Sequence, residues 1–504
     1  NVDANYSLSF DGVDDYVIIP EHSSLTSFNN GLSVSAWVYF DELNQGGEHG
    51  SHIISQWGSR GQYLLYIFGN NIVAATDGDD GAGNVSYDIS QYTSQWIHVL
   101  FTMDNNDLIL YLNGSQVAID SSPSGPVWES YNGGDTKIGT CNSNCGSDFT
   151  EMVLNEVALW NEAITSAEVN ALYNSGSSLI PLSNYGDYSS SLNLQAYWDF
   201  SEGNGTTLSD ISGNGNHGTI NGASWSTDVP VLGCTDPYAE NYNSDANVDD
   251  GSCAGYPDNG HFSLNFDGSG HISISEKNIN GTFEEFSFSS WVNVNDFGND
   301  YNPEYIFDVG RNADAQRIAL GVNQDGFTGF INGVENNIFN VNADFSEQDQ
   351  WVYVSMVWKG TDYAKIYING DLIAETNDIS TGTLTLNSGD PFKLGSRYNG
   401  QSHFSGHLSD VSIWGIALSE SQIQSLMSTS STSNEQGLLG YWKSDAGTGD
   451  ILYDHSGNAN HGTINGATWS TDVPVLGCTD PYAENYNADA NVDDGSCSGY
   501  PDNG

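Results

Sequence analysis

The chain has 504 residues, and its 10 Lys and Arg stand against 65 Asp and Glu, a formal net charge of −55. A surface of that sign repels phosphate backbones and anionic lipids, which argues against nucleic acid or a membrane surface as partner and favours cations. Aromatic residues reach 12%, too many for a disordered acidic segment, and no apolar run approaches the roughly 20 residues that span a bilayer.

The carboxylate excess either shares divalent ions, for which hard oxygen donors select calcium, or reflects a surface adapted to salty water. The chain starts with Asn, and no basic stretch leads into an apolar one. It is therefore expected to be a processed product or a segment of something longer.

Apolar and polar residues alternate at YSLSF (6–10), YVIIP (16–20), LSVSAWVYF (32–40), YLLYIF (63–68), WIHVLFTM (96–103) and LILYLNG (108–114), which predicts strands divided by Gly, Asn and Asp turns. Cys141 and Cys145 close a short loop, CNSNC, and read as a local staple. A helical period follows in ITSAEVNALYNSG (164–176) behind a Thr cap.

From His217 the sequence HGTINGASWSTDVPVLGCTDPYAENYNSDANVDDGSCAGYPDNG runs to Gly260. It returns from His461 to Gly504, 244 residues later, changed only at Ser224/Thr468, Ser244/Ala488 and Ala254/Ser498. Near-identical tails in tandem lean toward a structural or binding role, and the second closing where the first gave way to a new module hints at a third to follow.

Between the tails, strands are predicted at FSLNF (262–266), HISIS (271–275), FSFSSWVNV (286–294), WVYVSMVWKG (351–360) and AKIYING (364–370), and a capped helix at LSESQIQSLMSTS (418–430). Many short strands with few helices argue for an all-β antiparallel sandwich or jelly roll.

The six cysteines fall in three local pairs, Cys141/Cys145, Cys234/Cys253 and Cys478/Cys497. Even numbers at short, matching spacings read as disulfides formed in an oxidising compartment, hence secretion. Zinc is disfavoured, because neither Cys-x-x-Cys nor clustered His accompanies the pairs.

Five blocks in fixed order carry a resemblance. LSFDGVDDYVIIP (8–20), LSVSAWVYF (32–40), QWIHVLFTMD (95–104), LYLNG (110–114) and EVALWNEAITSAEVNALY (156–173) return as LNFDGSGHISI (264–274), FSFSSWVNV (286–294), QWVYVSMVWKG (350–360), IYING (366–370) and DVSIWGIALSESQIQSLM (410–427). They resemble the successive blocks of the laminin-G-like, concanavalin-A-like jelly-roll family. That resemblance implies two such sandwiches, at 1–176 and 261–430.

Each is followed by a segment similar to the YW and GNxN block that accompanies these jelly rolls, at 177–230 and 431–474, expected to fold onto the jelly roll before it. The second copy departs from the first, with Lys443 for Asp199 and Ala446 for Glu202. A cysteine-bounded acidic module closes each half, at 231–260 and 475–504.

The family often holds one calcium at the sandwich edge. The resemblance implies Asp11, Glu156 and Asp210, and in the second half Asp267, Asp410 and Asp454, as side-chain ligands completed by backbone carbonyls; turn capping is the competing role of the same residues.

The small module is similar to a cysteine-bounded repeat of surface proteins of environmental bacteria, with Glu240 or Glu484 where that pattern carries a further Cys. Its Asp245, Asn247, Asp249 and Asp250, and Asp489, Asn491, Asp493 and Asp494, place oxygen side chains at alternating positions, as calcium loops do. It is not an EF-hand, since Gly comes one place late and the bidentate Glu is missing. The competing reading is a metal-free turn held by its disulfide, which closes about 20 residues and contributes roughly 3 kcal/mol in the chain-entropy model.

Catalysis is not expected. The glucanase string E-x-D-x-x-E is absent, EVALWNE (156–162) being the nearest, and no G-x-S-x-G, H-E-x-x-H or P-loop occurs. Two binding classes remain. A lectin-like adhesin would present rim aromatics, with Trp128, Tyr131, Tyr301 and Tyr305 as candidates, while Trp37, Trp96, Trp160, Trp291, Trp351 and Trp414 at alternating strand positions belong to the core. A subunit of a surface filament would use the equal tails as head-to-tail contacts with copies of itself.

The combined expectation is a secreted, calcium-stabilised β-sandwich repeat protein of a surface fibre or adhesin. Its partners are copies of itself, neighbouring repeats or surface glycans, with neither nucleic acid nor membrane insertion. The sequons at Asn5, Asn84, Asn113, Asn204 and Asn280 read as chance matches in an Asn-rich chain.

Overall fold

The computed structural model describes residues 6–26, 28, 31–43, 50–57, 61–76, 83–104, 106–121, 134–141, 148–173, 181–274, 279, 281–297, 303–311, 316–332, 341–377, 379, 382–386, 389–428 and 435–499. They form two compact units, Asn1–Thr235 with Asn243–Asp250, and Asp236–Tyr242 with Gly251–Gly504. Both are all-β sandwiches. Among the described residues no helix is long and apolar enough to cross a membrane.

In the first unit one sheet runs in the order Ser115–Asp120, Leu108–Leu112, Trp96–Met103, Leu32–Tyr39, Glu151–Trp160, Ser7–Asp11 and Ser224–Ser226, with Leu194–Trp198 also on Glu151–Trp160. The facing sheet runs Thr207–Leu208, Gly218–Asn221, Tyr16–Ile19, Thr136–Ile138, Ser51–Trp57, Gly61–Phe68, Asn71–Ala75 and Asn84–Asp88. The YW segment thus adds strands to both sheets of the jelly roll that precedes it, and the second unit repeats this with Leu438–Trp442, Gly462–Asn465 and Thr468–Ser470.

Alternation places the core. In Leu32–Tyr39, Val34, Ala36 and Val38 face the opposite sheet, while Trp37 and Tyr39 belong to a second apolar layer on the outer face. That outer layer also holds Val169 and Leu172 of the helix Ser166–Tyr173, and Leu232 and Val248 of the small module. The strand is therefore buried on both faces, as the helix and module cover what would otherwise be solvated.

One irregularity recurs. In Glu151–Trp160 the core-facing residues are Met152 and Leu154, then Val157 and Leu159, so the alternation slips by one. A β-bulge with Glu156 in the left-handed region (φ 48°) produces the slip. Asp410 (φ 49°) does the same in Ser405–Trp414.

The module expected as one piece at 231–260 is divided between the units: 243–250 packs with the first, 236–242 and 251–260 with the second. Packing decides this, because Val248 enters the outer layer of the first unit whereas Asp236 and Tyr256 meet residues of the second. A one-turn helix, Ser23–Thr26, was not foreseen, since four residues are too few to show a period. Cys478 is bonded to Cys497, and Cys141, Cys234 and Cys253 are also in disulfides; Cys145 lies outside the described residues.

Candidate functional site

The outer face of the second unit carries a cavity of about 680 Å³. Its floor comes from three adjacent strands: Trp291 from Glu285–Val294, Tyr353 from Trp351–Lys359, and Asp410 and Ser412 from Ser405–Trp414. Trp291 and Tyr353 are direct cross-strand partners whose rings meet edge to face at 5.2 Å. Leu426 and Met427, at the end of the helix Glu420–Leu426, form one wall, and Pro474, Leu476 and Asp494 of the small module another. Asp258, Gly260, His261, Tyr441 and Lys443 complete the rim.

The bulge turns the Asp410 carboxylate toward this cavity. Its Oδ1 accepts the Tyr441 hydroxyl at 3.2 Å and its Oδ2 lies 3.3 Å from His261 Nε2. The hydrogen bond that the His261 ring donates to Asp410 raises its pKa, so the ring gains proton affinity beside the acid. Lys443 Nζ sits 3.0 Å from Asp258 and 3.4 Å from Asp445, and the Lys443 contact holds Asp258 low. Trp291 and Tyr353 are 3% and 2% exposed, so little ring surface is open, and the cavity presents chiefly the carboxylate, imidazole and ammonium at its edge, which can hydrogen-bond the substituents of a ring.

The first unit has the same scaffold with its surface covered. Tyr173 lies where Met427 stands, and its ring packs on Trp37 at 5.8 Å and on His98 at 6.0 Å. The Tyr173 hydroxyl donates to the Asp249 carbonyl at 3.1 Å. His98 takes the place of Tyr353; burial lowers its pKa to about 3, leaving a neutral ring 2.7 Å from Ser35 Oγ. Glu156 keeps the contact with its tyrosine, Tyr197, at 3.3 Å.

The expected ligand sets do not assemble as drawn. Asp11 gathers with Asp14 and Asp15, not with Glu156 or Asp210: these three carboxylates lie within 4.8 Å of one another. Asp11 Oδ1 accepts the Val13 N–H at 2.9 Å, and Asp15 Oδ2 accepts the Asp11 N–H at 2.9 Å. Burial raises the Asp15 pKa, and Gly222 (φ 83°) makes room for it, since a Cβ there would sit 1.9 Å from Asp15 Oδ1. The second unit keeps only Asp267, which caps Ser269 at 3.0 Å.

Asp210 and Asp454 organise turns instead. Asp454 accepts the N–H groups of Tyr441, Ser456 and Asn460, each at 2.9 Å, and Asp210 accepts those of Tyr197, Ser212 and Asn216 at 3.0, 2.8 and 2.9 Å. Each joins the YW strand to the GNxN loop, so the competing turn role describes them.

In the small modules Asn247 accepts from Val231 N at 2.7 Å and donates to the Val229 carbonyl at 2.9 Å; Asn491 does the same with Val475 and Val473 at 2.7 and 2.8 Å. Both amides clamp backbone. Asp493 and Asp494 cap Gly495 and Ser496 at 3.1 and 2.9 Å. Among the described residues, Asp245, Asp249, Asp250, Asp489, Asp493 and Asp494 supply no group of three acids within reach of one ion.

Tyr305, expected at an exposed rim, is 5% exposed. The Arg317 guanidinium lies 4.9 Å above its ring and is held there by Asp308, 2.7 Å from Nε, so a buried ion pair caps the tyrosine. Trp128, Tyr131 and Tyr301 lie outside the described residues. Trp37, Trp96, Trp160, Trp291, Trp351 and Trp414 are all buried. Trp291 serves the cavity as well as the core, a role that alternation alone does not reveal.

A curated relative, botulinum neurotoxin type E of Clostridium botulinum, is 25% identical over 218 residues; these are 40% of this chain, which spans 17% of that protein's length. Among solved structures, the mouse laminin α1 chain domains LG4-5 are 9% identical with a TM-score of 0.28, covering 86% of this chain and 93% of theirs. The heptameric SAP-like pentraxin of Limulus polyphemus is 20% identical with a TM-score of 0.27, covering 33% of this chain and 82% of its own. A family model described as the concanavalin A-like lectin/glucanases superfamily matches residues 11–170 and 266–424, more than half of the sequence, and the chain belongs to that superfamily.

Proposed function

We propose that the chain is an extracellular, lectin-like adhesion protein whose second jelly roll binds a glycan over Trp291 and Tyr353. The cavity carries this reading: Asp410, His261 and Lys443 stand around a floor of Trp291 and Tyr353, polar groups over an apolar base that can bond a sugar's hydroxyls. The disulfides support an oxidising, extracellular setting. With Asp258, Asp410 and Asp494 on its rim and a net charge of −55, the site favours neutral or amino sugars over acidic ones. Neither this reading nor the cavity assigns a catalytic role.

A glycan array probed with the chain and with its W291A and D410N variants tests it. Binding to neutral or amino sugars that both variants lose supports the proposal. Absence of binding across the array, or binding indifferent to both substitutions, overturns it.

Calcium is part of the proposal for the first jelly roll, where Asp11, Asp14 and Asp15 would hold it; the ion would neutralise three crowded carboxylates.

A second reading, a repeating subunit of a surface filament, is favoured by one contact. Asp236 and Tyr256, from the first copy of the tail, close on His461 and His455 of the YW segment in the second unit. A tail built to dock on the YW segment is what a repeating structure requires.

A further inference from the structure

We propose that the second small module carries a docking face for the YW segment of another copy of this chain, with Asp480 and Tyr482 meeting the ring of His217. The idea rests on the filament reading and supplies its contact.

The template is seen complete in the second unit. Asp236 Oδ2 lies 2.7 Å from His461 Nε2 and also accepts the Tyr256 hydroxyl at 2.7 Å. Tyr238 approaches the His461 ring edge to face at 5.3 Å. The imidazole is aimed by its other nitrogen, since Nδ1 accepts the Asp454 N–H at 2.9 Å and leaves Nε2–H to donate to the carboxylate. Asp236 is 4% exposed in this arrangement.

Both halves of the contact occur a second time with no mate among the described residues. Asp480 is preorganised as Asp236 is, accepting the Tyr482 N–H at 2.9 Å where Asp236 accepts that of Tyr238 at 3.0 Å. Tyr482 is 79% exposed, against 48% for Tyr238. On the other side, His217 Nδ1 accepts the Asp210 N–H at 3.1 Å, which turns Nε2–H outward on an exposed ring. The same turn bonds hold this loop, so the His217 backbone is presented as that of His461 is.

A second copy is the occupant because the chain carries both surfaces and each matches a contact already formed. Departures set the strength. Ser209 and Ile211 replace Tyr453 and His455, so ring stacking gives way to an exposed isoleucine, and Asp199 replaces the Lys443 that pairs with Asp258. The intermolecular contact is therefore weaker than its template, and the acidic surfaces oppose it at low salt.

Sedimentation velocity on the full chain at about 0.5 M salt, where repulsion between exposed charges is screened, tests it. The chain is expected to form oligomers that lengthen with concentration. H217A and D480A, each missing one half, are expected to associate at least tenfold more weakly, and Y482A, an exposed site that leaves the fold untouched, to weaken it likewise. A mixture of H217A and D480A retains one intact pair and should stop at dimers. Oligomers unaffected by all three substitutions would overturn this contact and leave the filament reading standing; a chain monomeric at every concentration would overturn both.

Discussion

Tyr173 and Met427 occupy the same position at the end of the same helix in the two units, and the outer faces they border differ. The tyrosine ring packs over Trp37 and His98, whereas the methionine stands at the wall of a cavity floored by Trp291 and Tyr353. M427Y is expected to fill the cavity and weaken glycan binding more than tenfold without lowering the melting temperature. Y173M should cost the first unit about 2–3 kcal/mol through the lost ring contacts and the bond to Asp249. Array binding and thermal unfolding of the two variants check both; undiminished binding by M427Y would remove the cavity as the binding site.

Glu168 anchors the helix that carries Tyr173. Burial alone would raise its pKa, but bonds from Ser190, Thr165 and Ser189 outweigh it and bring the value to about 2. Since the folded value lies below the unfolded one of 4.5, the stabilisation is fully present above about pH 4.5 and is lost as pH falls toward 2. E168A is expected to cost about 2 kcal/mol at pH 7 and much less at pH 3, measured by urea unfolding. E168Q should fall between, since Gln422 closes the capping box at this position in the second unit. Equal losses at both pH values would show that the carboxylate charge contributes nothing.

Glu304 shows the opposite sign. Burial, together with Asp296 nearby, lifts its pKa to about 7, although the Ser405 N–H donates to it at 2.9 Å. A folded value above the unfolded one means the native state binds the extra proton, so stability falls as pH rises from about 4.5 to 7. E304Q keeps the acceptor for Ser405 and removes the charge. It should stabilise the second unit by about 1 kcal/mol at pH 8, after allowance for solvent screening, and by nothing at pH 4. A variant no more stable than the parent at pH 8 would refute the raised value.

Chelation should act on the first unit. If Asp11, Asp14 and Asp15 hold calcium, millimolar calcium at about 100 times the Kd contributes about 2.7 kcal/mol, or roughly 5–11 °C for a domain of this size. Calorimetry in calcium and in chelator should show that shift in the parent and none in a D14N/D15N variant. Identical melting curves for the parent in both conditions would remove calcium from the account.

Much of this architecture is legible in local patterns, and the misses are instructive. Alternation placed the sandwich strands and the six tryptophans, because a side-chain period of two is set by the backbone. Tyr305 misled because nothing near it in sequence announces Arg317, its cover, or Asp308, which fixes that cover. Asp210 and Asp454 could not be resolved from sequence because an acid in D-x-S-G-N looks the same whether its oxygens meet an ion or amide hydrogens; the structure puts three amide N–H groups on Asp454. The slip in alternation at Glu156 and Asp410 also went unread, since a single left-handed residue inside an otherwise regular strand leaves the composition unchanged.

By itself the sequence determined the two-fold repeat, the all-β class, the disulfide of the second tail and the acidic surface. These follow from periodicity, identity and charge, which are read from the order and kind of residues without knowing which of them touch. Only the tertiary structure decided that Tyr173 packs over Trp37 while Met427 lines a cavity, that the first tail belongs partly to each unit, and that Asp236 reaches His461. Those outcomes depend on which distant strands and loops pack together, and packing is settled by surfaces hundreds of residues apart rather than by any local signal.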